Sequence, residues 1–134
     1  MNTENKDIRW KQRFANFERA VLLLERALQI ENPSEVERGG LIQFYEMSFE
    51  LAWKLMKDYL EEEGFTVKSP RQAIKQAFQS GLLKDGQVWI DALGDRNLTA
   101  HTYNESIALK VTAQIRTHYY PALYQFYVTM KAKV

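Results

Sequence analysis

The chain has 134 residues, of which 46% are hydrophobic and 26% charged, a composition typical of one globular domain. It contains no cysteine and two histidines, which excludes disulfide scaffolds, thiolate catalysis and zinc bound by Cys or several His of one chain. We therefore expect no metal and no cofactor. The formal net charge is +1, so any contact with nucleic acid must come from a local site.

No apolar run is long enough to span a bilayer, and the N-terminal residues are polar and mixed in charge, unlike a signal peptide. We therefore expect a cytoplasmic protein without membrane contact, formed by a single domain over residues 1–134. Apolar residues recur at intervals of three and four, and the alternation typical of strands is missing. This periodicity predicts an all-α fold.

The first predicted helix covers about residues 7 to 31 and ends before Asn32-Pro33, because a residue preceding proline avoids the α region. The second begins near Ser34, with Glu37 placed to complete a capping box, and runs to about residue 63. Gly39-Gly40 lies inside it and lowers helix propensity. Either the helix begins after this pair, or a neighbour packs closely there.

The third helix begins at Ser69–Gln72, where a serine cap precedes a proline and a glutamine completes the box, and it stops at Gly81. A fourth begins near Asp85. The last runs from about residue 103 to 130, and Pro121 inside it predicts a kink. Long helices with short connections predict an antiparallel up-and-down four-helix bundle, with the short third helix as an addition.

Residues 95 to 105 concentrate a guanidinium, an amide, an imidazole and a phenol, contributed by Arg96, Asn97, His101 and Tyr103. On a regular α-helix Arg96 and His101 would point about 140° apart, so they converge only where the helix breaks or bulges. We predict that Thr102 caps the last helix, with a capping box completed three residues later. His101 would then precede a helix N-terminus, which favours a phosphate and a neutral, basic imidazole.

Four residues separate Arg96 from His101, and one residue separates His101 from Tyr103. This spacing resembles the Arg-x4-His-x-Tyr signature of the HEPN superfamily. Asn97 supplies the polar residue that often follows the arginine there. The stretches 49–54 (Phe-Glu-Leu-Ala-Trp-Lys) and 69–71 (Ser-Pro-Arg) also resemble the branch called nucleotidyltransferase substrate-binding proteins. The resemblance extends from the first helix to the last.

This resemblance implies a dimeric four-helix bundle encoded beside a minimal nucleotidyltransferase, which it binds. Many HEPN members are metal-independent ribonucleases, and several are toxins neutralised by that partner. In related pairs the antitoxin adds AMP to the motif tyrosine, which is Tyr103 here. The branch name supports a different function, that of a non-catalytic subunit that binds nucleotide or substrate for the transferase. An assembly scaffold is a third possibility.

The residue types of the motif also fit RNA cleavage without a metal, which needs a base, an acid and positive charge near the phosphorus. Arg96 suits the last role and His101 either of the first two. Asn97 is suited to holding an imidazole or a phosphate oxygen, and Tyr103 to contacting RNA. Because one chain offers one motif histidine, a two-fold dimer would bring two copies of His101 to one cleft.

Other residues leave alternatives open. Glu46 and Glu50 belong to a four-residue repeat that is typical of a solvated helix face, but either would orient Arg96 or His101 if it faced the cleft. His118 is interpreted as a core-edge or interface histidine. Three Trp, seven Tyr and seven Phe are more aromatic residues than one small core requires, which favours self-association through part of them.

Overall fold

The computed structural model describes residues 3–134, with side chains from Ile8 onward. Residues 1 and 2, part of the predicted single domain and of the polar N-terminus, lie outside the described residues. The helices are α1 (Thr3–Leu28), α2 (Glu35–Glu62), α3 (Pro70–Gln79), α4 (Gly86–Asp95), α5 (Glu105–Gln114) and α6 (Tyr120–Lys131). A 3-10 helix, Arg96–His101, joins α4 to α5, and a π-helical turn, Ile115–Tyr119, joins α5 to α6. Residues 3–134 contain no strand, which confirms the all-α prediction.

The long helices pair in alternating directions. The ring of Trp10 near the start of α1 meets Tyr59 near the end of α2, so these helices are antiparallel. Phe17 on α1 packs on Phe126 of α6, and Trp89 on α4 packs edge-on against that same ring. The order α1, α2, α4, α5–α6 therefore forms the predicted up-and-down bundle, although α4 has only ten residues.

The core is a layer of apolar side chains at the predicted helical spacing. On α1 the apolar residues that recur at these intervals face inward, with Phe17 and Leu24 fully buried. Short α3 also contributes buried residues, including Ile74, so it belongs to the core and is more than an appendage. None of the helices in residues 3–134 is both long and apolar enough to cross a membrane.

Three predicted helix starts are confirmed at the level of hydrogen bonds. Ser34 and Glu37 form the reciprocal capping box of α2. Ser69 Oγ accepts from the N–H of Gln72, but the predicted box is wrong, because the Gln72 side chain accepts from the N–H of Lys68, the residue before the cap. Asp85 caps α4 by accepting from the N–H of Val88. These bonds join groups three or four residues apart, so the local sequence specifies them.

The later helix start at Gly39-Gly40 is wrong, because α2 begins at Glu35, and no neighbour in the described part of the chain packs closely there, since a Cβ on either glycine would meet nothing within 4 Å. The first helix ends at Leu28, earlier than predicted, and Asn32 turns the chain with a positive φ of 51°. The kink predicted at Pro121 corresponds to the π-helical turn just before it, where the N–H of Tyr120 bonds to the carbonyl of Ile115. A wider turn of this kind accommodates the helical hydrogen bond that is missing because proline has no N–H.

Candidate active site

The motif lies on the 3-10 helix Arg96–His101 between α4 and α5. Thr99 Oγ1 donates to the carbonyl of Arg96 at 2.6 Å, and Thr102 Oγ1 donates to the carbonyl of Thr99 at 3.1 Å. Such bonds from threonine to a nearby carbonyl compete with a regular helix and favour tight local turns. The break that the sequence required between Arg96 and His101 is therefore present.

Asp95 anchors the start of this segment to the last long helix. Its carboxylate accepts a hydrogen bond from the hydroxyl of Tyr119 on the π-helical turn. Burial, together with this carboxylate, raises the pKa of the Tyr119 hydroxyl, so the phenol remains a donor at neutral pH. The segment is thus held at its first turn by a contact that spans two elements.

Arg96 is positioned by α2. Its Nη1 lies 3.6 Å from Oε2 of Glu50, and both side chains are roughly half-exposed. Of the two alternatives for Glu50, the structure favours the one in which it orients Arg96. Glu46, one turn earlier, is exposed and forms no ion pair with the motif in the part of the chain that is described.

His101 and Tyr103 stand beside each other at the far end of the segment. Their ring centroids are 6.0 Å apart in an edge-to-face arrangement. Tyr103 is 85% exposed, and the imidazole is exposed as well. Both polar rings are therefore open to a ligand or a partner, which is unusual for a large aromatic residue in this chain.

The predicted capping box of Thr102 and Glu105 is wrong. The cap of α5 is Asn104, whose Oδ1 accepts from the N–H groups of Ser106 and Ile107 at 3.0 and 3.3 Å. Asn104 has the extended backbone that a cap requires, whereas the hydroxyl of Thr102 is engaged with the preceding turn. His101 consequently lies three residues before the cap, and the amide end of α5 is occupied by a side chain.

Asn97 is exposed on the same segment, next to Arg96. Five residues of 3-10 helix advance about 10 Å, so Arg96 and His101 of one chain are separated along the axis. The structure thus brings Arg96 to Glu50 and His101 to Tyr103, as two separate half-sites. A phosphate contacted by both halves requires either a ligand that spans them or a second chain.

Two supporting residues were missed from the sequence. The hydroxyl of Tyr119 donates a hydrogen bond to Asp95, and Nη2 of Arg38 on α2 lies 3.5 Å from Oε1 of Glu105 at the start of α5. Neither pair has a local spacing, so only the packing of the helices reveals it. His118, interpreted as a core-edge or interface residue, is exposed on the π-helical turn.

A helical bundle that carries an exposed Arg-x4-His-x-Tyr segment before its last long helix is a protein of the HEPN type. Residues 12–132 match the family described as "Nucleotidyltransferase substrate binding protein like", and the chain belongs to this family.

Several known proteins are similar. A crystal structure from Thermus thermophilus shares 34% identity, with a TM-score of 0.73 over 87% of this chain and 97% of that one. A Haemophilus influenzae protein named "Probable ribonuclease HepT" is 32% identical over 82 residues, which are 58% of this chain and 56% of the relative. The alignment thus spans about half the length of that curated relative.

Two further structures share the fold. A chain of the toxin–antitoxin MntA–HepT has a TM-score of 0.75 at 15% identity, covering 92% of this chain and 97% of that chain. HI0074 of Haemophilus influenzae, described as a substrate binding domain of a nucleotidyltransferase, has a TM-score of 0.68 at 23% identity, covering 91% and 96%.

Proposed function

We propose that this chain, acting as a single domain, is the HEPN-type component of a two-gene nucleotidyltransferase system and cleaves RNA as a toxin without using a metal. The observation that carries the proposal is the open pair of His101 and Tyr103 on a segment whose arginine is held by Glu50. The names of the Haemophilus relative and of the MntA–HepT complex support the same function.

The chemistry assigns a role to each motif residue. The 2′-hydroxyl of the RNA attacks the adjacent phosphorus, and the bond to the 5′-oxygen breaks, leaving a 2′,3′-cyclic phosphate and a free 5′-hydroxyl. One His101 accepts the 2′-hydroxyl proton, and a second donates a proton to the leaving oxygen. Arg96 stabilises the charge on the phosphorane, because its planar fork matches phosphate oxygens. Asn97 hydrogen-bonds a phosphate oxygen or an imidazole.

The second His101 comes from a second copy of the chain. On α2, the exposed residues Val36, Gln43 and Met47 share a face with Glu50, and Val36 is 85% exposed. Apolar side chains exposed on one helix face are typical of an interface. We propose a two-fold axis beside this face, which would bring the Glu50–Arg96 pairs and the His101 rings of both protomers to one cleft.

Tyr103 is the site at which the partner acts in this proposal. Its exposed phenol oxygen attacks the α-phosphorus of ATP bound to the nucleotidyltransferase, pyrophosphate leaves, and the phenol proton passes to a base of that enzyme. AMP attached there places an anion and a bulky base beside His101, which blocks RNA. Incubation with the nucleotidyltransferase and ATP should add the mass of one AMP to the parent chain and none to Tyr103→Phe.

Cleavage is tested by incubating the purified protein with a labelled tRNA pool in EDTA. We expect the parent to cleave, Arg96→Ala and His101→Ala to lose at least 100-fold in rate, and His118→Ala to match the parent, since loss of a general acid or base removes about 10²–10⁴. His118→Ala is the matched control because it removes the other histidine of the chain. Equal cleavage by His101→Ala would contradict the proposal.

The second candidate is a non-catalytic subunit that binds nucleotide or acceptor substrate for the transferase, which the family description favours. A dimeric, unmodified parent that leaves tRNA intact, binds a nucleotide and raises the rate of its partner would establish this function. A protein that does neither, yet forms a stable complex, would be a scaffold.

A further inference from the structure

All charged residues in the segment from Gly64 to Lys84, which includes α3, are basic. Lys68, Arg71, Lys75 and Lys84 lie in it, and it has no aspartate or glutamate. The whole chain has a formal charge of +1, so the remainder is net negative. The net charge of the whole chain therefore conceals a local excess of positive charge in this segment.

These four cations are also unpaired. All four side chains are exposed, and none forms an ion pair within the described residues, where the observed pairs lie on other elements. Cations without carboxylate partners are available to bind an anion, and they repel one another until it is bound.

A groove between α3 and α4 combines two of these cations with an aromatic ring. Its volume is about 590 Å³, and Lys75, Phe78, Lys84 and Ile90 line it. Phe78 is 49% exposed and lies against Gly86, where a Cβ would come within 3.1 Å of the ring. A side chain at position 86 would therefore crowd the ring, and the glycine leaves room for Phe78 to pack against the helix start while about half of its surface stays exposed.

We propose that this groove binds single-stranded RNA, with phosphates on Lys75 and Lys84 and a base stacked on Phe78. A basic track with an exposed aromatic ring is the arrangement that binds single strands without sequence preference. Asp85 also lines the groove, where it caps α4 and forms no ion pair with either lysine, and Asp91 accepts a hydrogen bond from Gln87, so both lysines remain available to phosphates. A polyanion fits this surface better than a protein segment of mixed charge.

The position of the groove links it to the motif. It lies at the start of α4, while Arg96 follows the end of the same helix, so the two are about 15 Å apart along its axis. A stacked single strand covers this distance in roughly four to five nucleotides at about 3.4 Å each. The inference rests on the proposed function in that the bound strand is the substrate, which the groove holds beside the cleavage site.

The test measures binding separately from cleavage. Fluorescence anisotropy of a labelled 20-nucleotide oligouridylate is recorded with the full-length His101→Ala chain, between 50 and 300 mM salt. Two variants are made in this His101→Ala chain: one carries both Lys75→Glu and Lys84→Glu, and the other carries Phe78→Ala alone. The charge-matched control is Arg19→Glu with Arg26→Glu, two arginines on α1, which packs mainly on α2 and α6.

We expect the double lysine variant to bind the oligonucleotide at least tenfold more weakly. The slope of log K against log salt concentration should become about 1.4 less steep, since each of the two lost phosphate contacts on a single strand contributes about 0.7. Phe78→Ala should bind about tenfold more weakly with the slope unchanged, because stacking is uncharged. The control should bind like the background. An equal loss in the control would overturn the site in favour of bulk charge.

Two further outcomes overturn the inference. If polyglutamate displaces the RNA as well as unlabelled oligouridylate does, the groove is a site for an acidic protein segment. In the second outcome, the parent cleaves tRNA while the double lysine variant binds oligouridylate as tightly as the His101→Ala chain does. That result would show that the groove does not bind RNA, and it would leave the ribonuclease proposal intact. Groove-dependent binding without any cleavage by the parent would support the groove and contradict the ribonuclease.

Discussion

Glu50 on α2 and Arg96 at the start of the 3-10 helix form an ion pair, with 3.6 Å between Oε2 and Nη1. The pair connects the middle of a rigid long helix to the segment that carries the motif. Because both side chains are roughly half-exposed, it contributes little to the free energy of folding. Its consequence is the direction in which the guanidinium points.

Replacing this carboxylate tests that positioning role. Glu50→Gln should lower the rate of tRNA cleavage by about tenfold, mainly in kcat, because Arg96 keeps its charge but loses the partner that orients it. The free energy of unfolding should change by less than about 1 kcal/mol. Glu46→Gln, one turn away and exposed, is the matched control and should cleave like the parent. A larger loss with Glu46→Gln would contradict the role of Glu50.

The cap of α5 is tested by thermal and urea unfolding. Asn104→Ala should lower the free energy of unfolding by about 1 kcal/mol, because the N–H groups of Ser106 and Ile107 lose their acceptor. Thr102→Ala should lower the free energy of unfolding by less, since its hydroxyl donates a single hydrogen bond to a carbonyl of the preceding turn. The reverse order would mean that Thr102 is the cap after all.

The glycine pair of α2 predicts a gain in stability. Gly39→Ala and Gly40→Ala should each raise the free energy of unfolding by roughly 1 kcal/mol, because both lie in a helix with open space around the added methyl. Urea unfolding is measured over a range of protein concentrations. A loss of stability that increases with protein concentration would show instead that a second molecule packs on these glycines.

The junction of α1 and α6 should make stability depend on pH. Hydrogen bonds from the Tyr127 hydroxyl and from Lys131 lower the pKa of Glu18 below its ordinary value of 4.5. A lowered pKa in the folded state adds stability above pH 4.5, and this stability is lost as the pH falls through the folded value.

The matched variant for this effect is Glu18→Gln, which cannot ionise. It should be less stable than the parent at pH 7, and the difference between the two should shrink below about pH 4.5 as the parent carboxylate takes up its proton. Urea unfolding from about pH 7 to about pH 3 measures the difference. A difference that stays constant over this range would show that the charge of Glu18 contributes nothing.

Much of the fold was predictable because its signals are local. The apolar spacing along α1 and the helix starts at Ser34, at Ser69 and near Asp85 depend on residues at most four positions apart, and each was confirmed. The HEPN-type motif was also visible, since its spacing is short. Its roles in cleavage and AMP transfer remain predictions.

Tertiary structure decided what local signals left open. The sequence by itself determined the all-α fold, three of the helix starts and the spacing of the motif. It left Glu46 and Glu50 equivalent as candidates for contact with the motif, and it pointed to Thr102 as the cap. Thr102 and Asn104 are both residue types that can cap a helix, and only the backbone shows that Asn104 has the extended conformation of a cap. Only packing sets which turn of α2 faces Arg96, and hence the distance between Glu50 and the guanidinium. Such distances depend on how distant elements fit together, and no spacing along the chain encodes them.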